Sequence, residues 1–197
     1  MSAIALIDAD RADVLLRALG EQLALLGEPR TLAVVGGVSL LVLGLVTRTT
    51  RDVDVVALVE GDQLVSAQPL PAVLREAAGI VAGDFGLPLD WLNPGPASML
   101  DLGLPEGFLE RALRRGYGDA LAVLFASRLD QIHLKLYAAV DQGPGRHLSD
   151  LQALQPSAAE LVQAARWSRT HDPSEGYRGV LVEVLEHLGV SDGLDGV

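Results

Sequence analysis

Asp52 and Asp54 stand one residue apart inside an otherwise apolar run, RDVDVVALVE. Alternation and valine content make DVDVVALVE a strand, and residues i and i+2 of a strand share a face. Two carboxylates held that close repel each other unless something neutralises them. A hard divalent cation such as Mg²⁺ does this and completes its shell with water and substrate phosphate. Such a pair can hold metal that orients a triphosphate for in-line displacement. The competing reading is a solvated strand edge with Val53 and Val55 turned to the core. A bare D-x-D pattern does not choose between the two.

A second feature lies just upstream. Gly36 and Gly37 end the short apolar segment TLAVVGG and open the next, VSLLVLGLV, which is apolar on all sides and reads as a buried helix. A helix N-terminus offers backbone N–H groups to phosphate, and glycines let a ligand approach the backbone. Ser39 adds a hydroxyl in the first turn. A plain tight turn is the alternative for the glycine pair. The spacing is neither that of a dinucleotide-binding G-x-G-x-x-G loop nor that of a Walker A loop, because no G-K-[ST] occurs.

Other side chains could serve the same chemistry. Arg48 and Arg51 flank the acidic pair, where a guanidinium either forks onto triphosphate oxygens or neutralises the two aspartates. Asp90, in the strand-like LPLDWLN, is the candidate third metal carboxylate, with a turn or edge aspartate as the alternative. Lys135 is the single lysine among fifteen basic residues. A lone lysine in an arginine-rich chain suits a compact point charge. On a helical projection it sits at the edge of the apolar face of SRLDQIHLKLYAAV, placed to reach a phosphate or simply to snorkel. Asp150, in HLSDLQAL, is either its downstream partner or an ordinary helix-face carboxylate. Arg111, Arg114 and Arg115 fall in the expected helix EGFLERALRRG and read as a solvated face before an RNA-binding one. Arg128 reads as surface, Trp91 as core, Asn93 as a turn former and His133 as packed. His147, His171 and His187 are too scattered for a metal cluster.

These residues need elements to position them. Leu15, Leu16, Leu19, Leu23 and Leu26 recur at helical spacing over residues 9–27, with Gly27 as the stop. Strand TLAVV, helix 38–46 and strand 52–60 follow. A helix opened by proline covers PLPAVLREAAGIVAGDFG. DALAVLFAS is a further strand and residues 127–140 a helix, broken by Gly143–Gly145. The last third is helical, with a capping box at Ser157 and Glu160 and a second start at Asp172 and Pro173. The tail after Gly189 is expected to fray. The fold class expected is α/β (α+β): a small mixed sheet with flanking helices and a helical C-terminal part. The division expected is 1–155 for the main domain and 156–197 for a helical extension packed on it.

Composition narrows the function classes. The chain has 197 residues and a formal net charge of −11, which opposes a broad sequence-independent grip on nucleic acid. It has no cysteine, which excludes disulfides and cysteine-ligated zinc. Residues 1–10 lack the basic start and apolar core of a signal peptide. The apolar stretch Val38–Val46 is too short to span a bilayer. A cytoplasmic protein with no membrane partner is the expectation.

The segment VVGGVSLLVLGLVTRTTRDVDVVALV resembles the signature of the DNA polymerase β-like nucleotidyltransferase superfamily: a glycine turn, a helix, then D-x-D on a strand. Within it, the chain looks most like the AbiEii-type toxin nucleotidyltransferases. In that group an Arg-Thr/Ser-x-Asp-hydrophobic-Asp segment is followed by a lysine-bearing helix and a downstream aspartate, matched here by Lys135 and Asp150. LDWLN, residues 89–93, is similar to a further segment of the group. The resemblance covers residues 30–155. Gly37 departs from it, standing where many relatives carry serine, and His147 precedes Asp150 where relatives often carry a Lys-Asp-like pairing. The resemblance implies a nucleotidyltransferase fold. It also implies Mg²⁺ on Asp52 and Asp54 with Asp90 assisting, and phosphate binding by Gly36, Gly37, Ser39 and Arg51. Lys135 would stabilise phosphate charge, with Asp150 in support. It further implies an NTP substrate, RNA or tRNA as acceptor and a cognate antitoxin as partner. Two rivals stand beside it: a non-catalytic nucleotide- or partner-binding module of the same fold, and a transferase acting on protein or a small molecule.

Overall fold

A computed structural model describes residues 6–143 and 145–191. The last residues of the tail expected to fray, 192–197, lie outside the described residues, as do 1–5 of the segment read for a signal peptide. The chain divides into two compact units, residues 1–127 and 128–197. Residues 128–155, which the sequence groups with the first domain, here belong to the same unit as the C-terminal helices.

The first unit opens with α1, Ala9–Leu26, capped by the Asp8 side chain accepting from the Arg11 N–H and stopped by Gly27 in a left-handed conformation. Next come β1, Arg30–Val35, and α2, Gly36–Val42. The strand expected from residue 52 begins one residue later, as β2, Val53–Glu60. A two-residue Gly61–Asp62 turn, with Gly61 at φ 61°, leads to β3, Gln63–Ser66. The helix α3, Ala72–Phe85, ends on left-handed Gly86. The strand expected over LPLDWLN shrinks to β4, Leu92–Asn93, followed by a 3₁₀ turn, Gly95–Ala97, and α4, Ser98–Leu102. The expected helix EGFLERALRRG is corrected too. Only Phe108–Arg111 is helical (α5), and Leu113–Gly116 forms an edge strand, β5, antiparallel to β6, Leu121–Phe125. Pairing with β6 overrides the local helical spacing, so Arg114 and Arg115 stand on an exposed sheet edge.

The mixed sheet runs β3-β2-β1-β6-β5, with β4 also paired to β2. One face carries Leu32, Val34, Val53, Val55, Val123 and Phe125 into a core shared with the leucines of α1 and with Trp91. Trp91 is fully buried and its Nε1–H donates to the Ala78 carbonyl at 2.9 Å, which satisfies its polar atom. The β1–β2 register jumps between Ala33 and Val34, leaving Val56 unpaired. That bulge reverses the parity of β2, so Leu58 rather than Ala57 joins the core.

The second unit is helical: α6, Arg128–Asp141; α7, Gly145–Ala153; α8, Ala158–His171; α9, Glu175–His187. The expected capping box at Ser157 and Glu160 forms in full. Arg128 forks onto Glu160, with Nη1 at 2.6 Å from Oε1, and also donates to the carbonyls of Leu154 and Gln155. The guanidinium and the cap hold the Glu160 carboxyl down at about 2. The start of α9 differs from expectation. Ser174, not Asp172, caps it by accepting from the Tyr177 N–H, while Asp172 accepts from the Ser174 N–H at 2.8 Å.

His171 packs edge-on against Trp167, centroids 4.3 Å apart, and against Tyr137 at 5.5 Å. Both its ring nitrogens are buried without a hydrogen-bond partner among the described residues. Burial lowers its pKa below the ordinary 6.5. The folded state therefore takes up the proton less readily than the unfolded chain, so stability is full above 6.5 and falls as pH drops through the lowered value. Thermal unfolding followed by circular dichroism between pH 7.5 and about 5 is expected to show a falling midpoint in the wild type and a flatter profile in His171→Phe.

Candidate functional site

The first unit gathers four of the expected residues around the end of β1. The register sets Val35 opposite Asp54, so the carboxylate of Asp54 arrives beside the residue that follows Val35. That residue is Gly36, with φ of 69°. A Cβ built there would collide with Asp54 Oδ2. A Cβ on Gly37 would stand 2.7 Å from Thr50 Oγ1 and 2.8 Å from Thr50 Cβ. Each glycine is thus required by a side chain of the fold itself, one a carboxylate and the other a hydroxyl.

Thr50 is held in turn. Its backbone exchanges two hydrogen bonds with Ile7, each 2.8 Å, and its hydroxyl donates to Asp52 Oδ1 at 3.3 Å. Asp52 precedes β2 and is half-buried, as is Asp54. The segment ahead of β4 is tied to the same place, because the Val53 N–H donates to the Trp91 carbonyl at 2.6 Å. β4 then runs parallel to β2 with Asn93 opposite Asp54. The Asn93 amide donates from Nδ2 to Asp54 Oδ1 at 2.8 Å, and its Oδ1 accepts from the Gly95 N–H at 2.9 Å.

Two expectations change here. Ser39 is fully buried and its hydroxyl donates to the Val34 carbonyl at 2.7 Å, so it ties α2 back to β1 instead of facing a ligand. Asp90 lies in an exposed turn ahead of β4, and the residue that β4 sets against Asp54 is Asn93. Asn93 reads in the sequence as a turn former, a role its Oδ1 fills. Its second role was legible only through strand pairing. Arg51 is solvent-exposed between Thr50 and Asp52, and Arg48 donates to the Thr49 carbonyl at 3.1 Å.

The donor set suits a hard divalent cation in kind, since two carboxylates with open coordination left for water and phosphate are what Mg²⁺ takes from proteins. Among the described residues, no group of three or more His, Cys, Asp or Glu side chains is disposed to hold a metal. The pair Asp52 and Asp54 would have to do so with substrate oxygens. α2 has only seven residues and Val35 gives it no side-chain cap, so what its start offers phosphate is backbone N–H groups more than a long dipole.

In the second unit, Lys135 Nζ lies 2.8 Å from Asp150 Oδ2. Both side chains are buried, at 8% and 2% exposure, so Lys135 is not the snorkelling edge residue that its helical projection suggests. An ammonium has three donors, and this pair occupies one of them. His133 is buried beside Trp167, with Nδ1 2.8 Å from the Leu129 carbonyl. A carbonyl only accepts, so Nδ1 carries the proton.

Among the described residues no helix is long and apolar enough to cross a membrane. Comparison with family models, with curated proteins and with solved structures finds no match to this chain.

Proposed function

We propose that the chain is a Mg²⁺-dependent nucleotidyltransferase acting in the cytoplasm. The observation that carries this reading is the seating of Asp54 against Gly36, with Asp52 two residues earlier beside Thr50. Glycine at the strand end leaves room for the Asp54 carboxylate beside the backbone, and carboxylates with substrate phosphate are the donors Mg²⁺ takes. In the reaction, an acceptor hydroxyl oxygen attacks the α-phosphorus of an NTP and loses its proton. The α–β phosphoanhydride bond breaks and pyrophosphate leaves. Asp52 and Asp54 would hold the cation, whose chemistry there would be charge neutralisation of the phosphates. The chain's own part is to bind and orient, the usual basis of phosphoryl chemistry.

The resemblance to AbiEii-type toxins supports RNA or tRNA as the acceptor and a cognate antitoxin as partner. The net charge of −11 favours a protein or small-molecule acceptor instead. A second reading, a binding module without catalysis, is favoured by Asn93 standing where a third carboxylate would face Asp54.

Incubation with each α-labelled NTP, Mg²⁺ and either total RNA or a protein mixture separates these readings. Label is expected in one acceptor pool and is expected to fall to background in Asp52→Ala/Asp54→Ala. NTP binding without transfer would replace the enzyme with the binding module.

A further inference from the structure

We infer that Asn93 is a positioning residue for Asp54, aligning its carboxylate for the cation; this rests on the nucleotidyltransferase reading above. An amide can face its neighbours either way round, but here its surroundings choose. The Gly95 N–H faces one side of Asn93 at 2.9 Å and can only donate, so that side is the oxygen. The nitrogen must then face Asp54 Oδ1, at 2.8 Å. A turn before Pro94 needs the oxygen alone, and serine or aspartate would supply it equally well. Aspartate would set a carboxylate against Asp54, and serine is too short to span the gap. Only asparagine serves the turn and donates to the metal-binding carboxylate at once.

The neighbours of Asn93 make this alignment firm. β4 is anchored by the buried Trp91, whose carbonyl accepts from Val53 N–H. Gly95 comes so close that a Cβ on it would stand 2.9 Å from Asn93 Oδ1. Asp54 is thereby bounded on both sides: Oδ1 receives the amide, and Oδ2 lies against Gly36. Removing the amide leaves the charge of Asp54 but takes away the donor that fixes Oδ1, and partners of this kind are typically worth 10–100-fold in metal affinity.

The test titrates Mn²⁺ into the full chain and follows free ion by electron paramagnetic resonance. The wild type is expected to bind, and Asp54→Ala to lose binding. Asn93→Ser keeps an acceptor for the Gly95 N–H, whereas Asn93→Ala keeps neither bond. Both are expected to bind Mn²⁺ about tenfold or more weakly, although their melting temperatures differ because only serine retains the turn. Native circular dichroism confirms that each is folded when assayed. A folded Asn93→Ser that binds within about twofold of the wild type reduces Asn93 to a turn residue and overturns the inference. Weakening in Asn93→Ala alone does the same. A wild-type chain that takes up no Mn²⁺, with or without NTP, removes the nucleotidyltransferase reading and the role of Asn93 with it.

Discussion

Asp150→Ala is expected to destabilise the chain by about 3–5 kcal/mol, the cost of leaving one member of a buried ion pair uncompensated. The pair is Lys135 Nζ with Asp150 Oδ2 at 2.8 Å, at 8% and 2% side-chain exposure. Water reaches neither group well enough to replace the other. An exposed pair such as Arg30–Glu28, with side chains 30% and 43% exposed, is worth at most about 1 kcal/mol. Lys135→Met is expected to destabilise as well, because it removes the cation paired with the buried Asp150 carboxylate. The double variant Lys135→Met/Asp150→Leu is expected to recover most of the loss, since apolar residues of similar volume often replace a buried pair without penalty. Urea unfolding of the four proteins at pH 7 measures these differences. Equal, small effects in both single variants would show that solvent reaches the pair. The double variant also separates stability from chemistry. If Lys135 stabilises phosphate charge through its remaining donors, a folded double variant will have lost transfer. If the pair only holds α6 to α7, transfer will persist.

What the sequence made legible follows a physical line. Helices with caps were readable: Gly27 ends α1 and Ser157 with Glu160 opens α8, because these signals are local. The acidic pair and the glycine pair were readable because glycine and aspartate are conspicuous in apolar runs. What two strands do to each other was not. Leu113–Gly116 carries a helical spacing but pairs with β6, and no local rule announces that. β3 does carry a signal, the two-residue Gly61–Asp62 turn between Val59-Glu60 and Gln63-Leu64. The expected third carboxylate is Asp90, whereas the residue set against Asp54 by the β2–β4 register is the amide Asn93. Ser39 reads as a ligand donor because a hydroxyl in the first turn of a helix is a common donor, yet burial leaves it the Val34 carbonyl. The burial of Lys135 was hidden for a related reason. A projection of α6 alone shows an apolar face and an edge, but Asp130, Gln131, His133 and Lys135 are all buried on this helix.

Gly36→Ala is expected to cost about 2–5 kcal/mol, from two effects that act together. The left-handed φ of 69° is one. A non-glycine residue there costs about 1–2 kcal/mol. The other is volume, since the new methyl falls on the Asp54 carboxylate, and an overpacked site typically costs about 1–3 kcal/mol. The methyl cannot be accommodated by a small rotation, because Asp54 Oδ1 is held by Asn93 and its backbone by the β1–β2 and β2–β4 pairings. Asp54 must therefore give up the Asn93 bond, so the same substitution is expected to remove NTP binding along with stability. Gly79→Ala provides the opposite sign. Gly79 lies within α3 with nothing inside 4 Å of a built Cβ, and alanine there is expected to stabilise by about 0.5–1 kcal/mol. Thermal unfolding of the two variants, with NTP titration in parallel, measures the contrast. Were Gly36→Ala as benign as Gly79→Ala, the approach of Asp54 to the glycine would be incidental. The strand end would then be built merely around a turn and not around a carboxylate.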